Sequence, residues 1–199
     1  MPGSLTAGRR NVPHDRAVVI FLIAIAVSGL RAKAEPGQTT NRRSPERYES
    51  AALDANGNLA IRTSAGRSIT VRKTRDQTSF ESVTVARSRD AVAAEAMFKN
   101  CCTSYDIPLQ LVIYADGQVH RFKGIGLPIF EWRLSDDGTQ VAYGQEPVHF
   151  GCVTHYELRD IRTERLLDSF DVEQPCSQIP EPKAVTLPQW VVDLRTRTK

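Results

Sequence analysis

The four histidines and four cysteines are the side chains of this 199-residue sequence best suited to chemistry, and three of them are closely spaced. His149, Cys152 and His155 recur every three residues, a pattern that could offer nitrogen and sulfur to a metal ion. On an extended strand side chains alternate sides, so His149 and His155 would share a face while Cys152 points away. Two histidines alone make a poor zinc site, which takes four protein ligands or three and a water. No metal or other cofactor is expected, and His149 and His155 are the only candidate ligands.

The remaining chemistry is dispersed. Asp136-Asp137 could act as paired carboxylates or hold calcium, but Gly138 beside them makes a turn the simpler explanation. Neither Gly-x-Ser-x-Gly, Ser-x-x-Lys nor a phosphate-cradling glycine loop is present. No catalytic residue is assigned. An exported hydrolase or metal-dependent enzyme would have to assemble its site from His120, His149, His155 and Asp160. His120 alternates with its neighbours beside Arg121 and reads as an exposed strand residue.

Cys101, Cys102, Cys152 and Cys176 allow three pairings. If the last hairpin turns at Thr163, the residue opposite Cys152 is near position 174, which brings Cys176 into reach. A Cys152–Cys176 disulfide is therefore expected. Cys101 and Cys102 are then left to form a vicinal disulfide, to remain thiols, or to pair instead with the two distant cysteines. Stapling is the favoured reading over a redox or ligand contact, because exported domains use cysteines chiefly in that way.

Oxidised cysteines need an oxidising compartment, and the first 34 residues supply the route. Arg9, Arg10 and Arg16 precede a charge-free run from Ala17 to Leu30, followed by Ala32-Lys33-Ala34. A basic start, a short apolar run and an Ala-x-Ala site make a signal peptide over 1–34. The run is shorter than the roughly 20 apolar residues that span a bilayer, so a permanent anchor is the lesser alternative. The net charge of +3 owes five basic groups against one acid to this segment, leaving 21 basic and 22 acidic side chains beyond it. Residues 101–175 hold 6 basic against 12 acidic groups, a distribution that excludes a nucleic-acid partner.

Residues 35–50 are polar, with Pro36, Gly37 and Pro45, and read as a flexible leader. The region 51–175 carries short apolar stretches separated by turns. Leu59 to Ile61 and Ile69 to Val71 flank Ser64-Ala65-Gly66; Leu109 to Tyr114 and Val119 to Phe122 flank Ala115-Asp116-Gly117-Gln118. Asp-Gly supplies the positive backbone dihedrals of a tight hairpin. Ile129 to Leu134 and Thr139 to Tyr143 turn at Asp136-Asp137-Gly138, and Thr154 to Ile161 and Arg165 to Val172 turn at Arg162-Thr163-Glu164. Phe130 and Trp132, two apart, should share a face with Tyr143 across the hairpin as core aromatics. The tail 176–199 is Pro-rich, with Trp190 to Leu194 as a possible final strand.

An internal repeat organises these pieces. Laying Ser82 to Ala93 over Glu131 to Ala142, an offset of 49, matches Val92-Ala93 to Val141-Ala142; with slight slippage Leu111 falls on Leu158 and Phe122 on Phe170. Ala91 to Phe98 has the composition of a helix. The repeat nevertheless makes it a strand, since its counterpart Gln140 to Tyr143 is one. Units of this length with four short strands are propeller blades.

Trp132 followed by Ser135-Asp136-Asp137-Gly138-Thr139-Gln140-Val141-Ala142-Tyr143 resembles the Trp-x-x-Ser-Pro-Asp-Gly-Lys-x-Ile-Ala-Phe core of TolB-like propeller repeats. Leu158-Arg159-Asp160-Ile161-Arg162-Thr163-Glu164-Arg165-Leu166 is similar to the Leu-Trp-Asp-x-x-Thr-Gly-x-x-Leu end of a WD-type blade. Asp136 stands for the usual Pro, Arg159 for Trp and Glu164 for the turn Gly. The resemblance implies blade architecture and a tendency to bind proteins, and no catalytic residue.

The expectation is an all-β fold of antiparallel blade-like hairpins. Two clear units and one partial one cannot close a ring of roughly four or more blades. An open stack, a partial propeller, a β-sandwich and a share in an oligomeric ring remain open. The expected function is an exported, non-enzymatic module in the periplasm or outside the cell that binds a protein or envelope component through loops or a sheet edge. It would meet a membrane only through an uncleaved signal segment. A structural subunit of an oligomeric propeller is the further alternative, and no binding residue is singled out.

Overall fold

A computed structural model describes residues 47–149, 151–179 and 181–196. The expected signal peptide and all but the end of the leader lie outside the described residues. The described chain forms eleven strands and one helix: β1 (Tyr48–Leu53), β2 (Leu59–Thr63), β3 (Ser68–Val71), β4 (Gln77–Val85), β5 (Ala91–Phe98), β6 (Ile107–Ala115), β7 (Gln118–Lys123), β8 (Ile129–Leu134), β9 (Gln140–Gln145), β10 (Val153–Asp160), β11 (Leu166–Glu173) and α1 (Gln189–Thr196). Within each sheet every strand pairs antiparallel with its sequence neighbours, giving a three-stranded sheet β1-β2-β3 and two four-stranded meanders, β4 to β7 and β8 to β11. The fold is all-β and blade-like, as the hairpin signals require.

Two boundaries differ from the sequence reading. The leader ends early: Tyr48 already opens β1, because its ring is buried edge-on against Tyr114 at 5.4 Å, a contact no local pattern announces. The expected final strand at Trp190 to Leu194 is helical. Pro188 cannot continue a strand ladder, and its carbonyl instead accepts from the N–H groups of Val191 and Val192, opening a helix. Val191 and Leu194 then fall three apart on one face, both buried.

Ala91 to Phe98 is strand despite its helical composition. Burial decides: its side chains are nearly all enclosed, because β5 sits in the middle of its sheet with sheets on both faces. Alanines suit the position, since small side chains let two layers approach. The Asp116-Gly117 hairpin has φ of 51° and 77°, the paired left-handed conformation of a tight turn. Glu164 has φ 56°, the left-handed position at which the WD-type pattern carries glycine, and Arg159 Nη1 donates to its carbonyl at 3.0 Å.

The sheets lie face to face in chain order. Leu59, Ile61 and Val71 of the first pack against Phe80, Val92, Ala94 and Val112 of the second. The opposite face of the second, with Ala93, Leu111, Ile113 and Phe122, packs against Ile129, Val141 and Tyr143 of the third. The outer face of the third, with Tyr156, Leu158 and Phe170, is covered by Trp190, Val191 and Leu194 of α1. The repeated residues keep their facing: Val92 and Val141 both point to the preceding sheet, while Leu111 and Leu158, like Phe122 and Phe170, point to the following layer. The described residues thus form an open stack of three sheets. Its first sheet turns outward the small or polar residues Ser50, Ala52, Ala60, Arg62, Ser68 and Thr70, while α1 closes the other end.

Trp132 and Tyr143 are register partners at the second core, but Phe130 is 43% exposed. A bulge between Ile129 and Glu131 shifts the register there, so the expected three-ring cluster holds two. Gly144 is required on the α1 side of β9, where a Cβ would come within 2.9 Å of Glu131 Cγ and Tyr156 Cε1. Gly144→Ala should therefore lower stability by about 2 kcal/mol through overpacking, read as a shifted urea midpoint at unchanged slope. An unshifted midpoint would show that Glu131 simply swings aside.

Candidate functional site

The alternation of direction along each meander sends five hairpin turns to one end of the stack. The β2–β3, β4–β5, β6–β7, β8–β9 and β10–β11 turns all open there onto one basin of about 1130 Å³. Four aspartates line it, Asp90, Asp116, Asp137 and Asp160, against two arginines, Arg67 and Arg162. Two of the aspartates are fixed in place by the turns themselves. Asp137 Oδ1 accepts from Ser135 Oγ at 2.6 Å, Thr139 Oγ1 at 2.9 Å and Thr139 N at 3.1 Å. Those bonds, Ser135 first, hold its carboxyl below the usual carboxylate range. Asp160 accepts from Thr163 Oγ1 at 2.6 Å and Thr163 N at 2.8 Å, with the same effect. Asp136, by contrast, turns to Arg87 and Arg133 at 3.8 Å each. The Asp136-Asp137 pair is turn chemistry.

A second polar assembly lies between the second and third sheets. Glu157 is buried at 3% exposure and accepts from Tyr143 Oη and from Arg159 Nε at 2.6 Å. Arg159 Nε also reaches Tyr143 Oη at 2.9 Å. His155 joins the group, its Nε2 facing Glu157 Oε1 at 3.3 Å and its Nδ1 facing Asp171 Oδ1 at 2.5 Å. Burial alone would raise Glu157, but the bonds from Arg159 and Tyr143 and the guanidinium charge outweigh it and hold the carboxyl below its ordinary value. Tyr143 is pushed up, by burial and by the carboxylate beside it. On the other side of the same interface Glu95 is raised by burial, although Ser82 and Trp132 donate to it at 2.8 and 2.9 Å.

The candidates from the sequence are distributed over these places. His155 is committed to Asp171 and Glu157. Asp160 closes the β10–β11 turn. His120 is buried at 5% exposure, not exposed as its pattern suggests, because β7 turns it towards the third sheet, where Nδ1 meets Glu164 Oε1 at 3.2 Å. His149 is exposed in the β9–β10 loop, and Cys152 also precedes β10, so the strand alternation expected for the His149-Cys152-His155 spacing does not apply. Among the described residues no group of three or more His, Cys, Asp or Glu side chains is placed to hold a metal ion.

Cys152 pairs with Cys176, Cα atoms 5.6 Å apart, and Cys101 with Cys102. The register places Val153 opposite Glu173, and Gln174 N donates to Cys152 O at 2.7 Å, so position 174 does face Cys152. Both pairs sit at the end of the stack away from the basin. Among the described residues no helix is long and apolar enough to cross a membrane.

A scan of the sequence against protein-family models finds no match, and a search of curated proteins finds none either.

Proposed function

We propose that the chain is an exported, non-enzymatic binding module whose turn end receives a basic segment of a partner protein or envelope component. The observation that carries this reading is the basin: turns from all three sheets converge on it, with four aspartates against two arginines, and two of the aspartates are kept ionised by hydrogen bonds. Preset carboxylates on rigid hairpins recognise ammonium and guanidinium groups with little ordering cost. Export to the periplasm or beyond is supported by the charge-free run, by Ala32-Lys33-Ala34 and by the two cysteine pairs. The kinship we infer with TolB-like and WD-type repeats rests on the Trp132 to Tyr143 and Leu158 to Leu166 motifs. It supports protein binding as the class of function, and the site argues the rest.

The test titrates the full chain with a lysine- and arginine-rich peptide and with an acidic peptide of equal length, followed by tryptophan fluorescence or calorimetry. The basic peptide should bind, more weakly as salt rises. Asp116→Asn, Asp137→Asn and Asp160→Asn combined should weaken it about tenfold, a loss of about 1.4 kcal/mol. Asparagine keeps the turn-closing acceptor and removes only charge, so the melting temperature serves as the control. Equal binding of both peptides, or an affinity indifferent to the three substitutions, would reject the basin as the site.

A further inference from the structure

The end of the stack opposite the basin has a different character. It is built from the β1–β2, β3–β4, β5–β6, β7–β8 and β9–β10 connections. Of the large apolar side chains left exposed, three belong to its first two sheets: Leu53 at 45%, Tyr105 at 57% and Ile125 at 62%. They stand on separate connections, Leu53 closing β1, Tyr105 in the β5–β6 loop and Ile125 in the β7–β8 loop. The basin lies at the other end, and the cleft beside α1 opens on the outer face of the third sheet, away from these three tips.

Basic side chains stand on three connections of this end, β3–β4, β5–β6 and β7–β8, the last two of which also carry a tip. Arg72, Arg75, Lys99 and Lys123 are exposed there, while Lys73 is turned inward to Thr78 O at 3.0 Å. The acids among them are Asp54, Asp76 and Asp106, and Asp54 is occupied by the N–H groups of Asn56 and Asn58, both at 2.8 Å. Those bonds keep Asp54 ionised, so across the β1–β2, β3–β4, β5–β6 and β7–β8 connections five basic groups, Lys73 included, stand against three acids. Apolar and aromatic tips flanked by lysine and arginine suit a surface that is soft, flat and anionic: apolar groups enter the interface while the cations stay at headgroup level. A pocketed protein partner would instead be met by a concave apolar site, which these separate tips do not form.

We propose that this end docks on an anionic lipid bilayer, with Tyr105 and Ile125 entering the interfacial layer and Arg72, Arg75, Lys99 and Lys123 facing the headgroups. Docked so, the chain holds its acidic basin away from the membrane. This contact is separate from any uncleaved signal segment and does not depend on what the basin binds.

The test must distinguish the tips from the apolar run in residues 17–30, so it reads the tip itself. Ile125→Trp is introduced into the full chain and its added emission is compared with the parent protein on vesicles of equimolar phosphatidylglycerol and phosphatidylcholine, with and without brominated acyl chains. The introduced indole should shift to the blue and be quenched by the brominated lipid. Lys99→Glu with Lys123→Glu should reduce tip quenching at limiting lipid, each lost positive charge weakening binding about fivefold. An indole that stays unshifted and unquenched while the chain is bound to vesicles leaves a protein as the occupant and overturns the proposal. Equal quenching on pure phosphatidylcholine overturns the role given to the basic residues.

Discussion

Glu157→Ala is expected to cost the protein about 3 kcal/mol, a large share of the stability of a single domain. The carboxylate is the centre of the polar assembly between the second and third sheets, with Arg159, Tyr143 and His155 all turned towards it. Removing it leaves a half-buried guanidinium and a buried hydroxyl without the acceptor around which they are arranged, and unmatched charge is worse than no charge. Arg159 retains part of its exposure and its bond to Glu164 O, which places the estimate at the lower end of the range for broken buried pairs. Replacing both partners together, Glu157→Leu with Arg159→Met, should recover most of the loss. Urea unfolding of the two variants decides between a buried pair that matters and one that water already screens.

The same residue sets a sign for pH. Its folded pKa lies below the unfolded value, so its stabilisation is present above the unfolded value and is lost as pH falls through the folded one. Glu157→Ala should therefore flatten the acid limb of the stability profile. Glu95 acts oppositely: being raised, it favours the fold below its unfolded pKa, and that contribution is lost as pH rises through its folded pKa. An acid limb of unchanged steepness in Glu157→Ala would assign it to other carboxylates.

The second large effect belongs to the cysteines. Cys152→Ser with Cys176→Ser should lower stability by roughly 3 kcal/mol, since the bond closes a loop with a separation of 24 residues. The bridge also ties the start of the tail to the residue that precedes β10, upstream of the helix that covers Tyr156, Leu158 and Phe170. Freed tail ends should let that face open transiently, seen as binding of a dye that reports exposed apolar surface. Reductant should bring the parent protein to the behaviour of the double variant. Cys101→Ser with Cys102→Ser should change little, because adjacent residues enclose almost no chain to constrain. If the adjacent pair proved the costlier to remove, the loop-closure explanation would fail.

Much of the fold was legible in local chemistry. Asp116-Gly117 and Gly138 announce hairpins because few residues tolerate positive φ, and Val92-Ala93 repeats as Val141-Ala142 because equivalent strands face equivalent layers. What escaped depends on distant groups. Tyr48 opens a strand only because Tyr114 waits for it, and His120 is buried only because the turn carrying Glu164 comes down beside it. The charged assembly had a readable signal that the metal-like spacing obscured. His155, Glu157 and Arg159 alternate on one strand face, and the register that puts residue 174 opposite Cys152 also puts Asp171 opposite His155. The basin was not readable from any one motif, since each aspartate in it looks like an ordinary turn residue.

The two different endings of the stack bear on how such a chain can change length. Among the described residues each internal face meets its neighbour through equivalent positions, as Val92 and Val141 show, whereas the polar outer face of the first sheet and the covering helix occur once each. Stacked units of this kind contact only adjacent units, so a duplicated meander inserted between the two terminators would find a matching surface on both sides. A meander duplicated or deleted between them would thus change the number of sheets and leave both of these faces as they are.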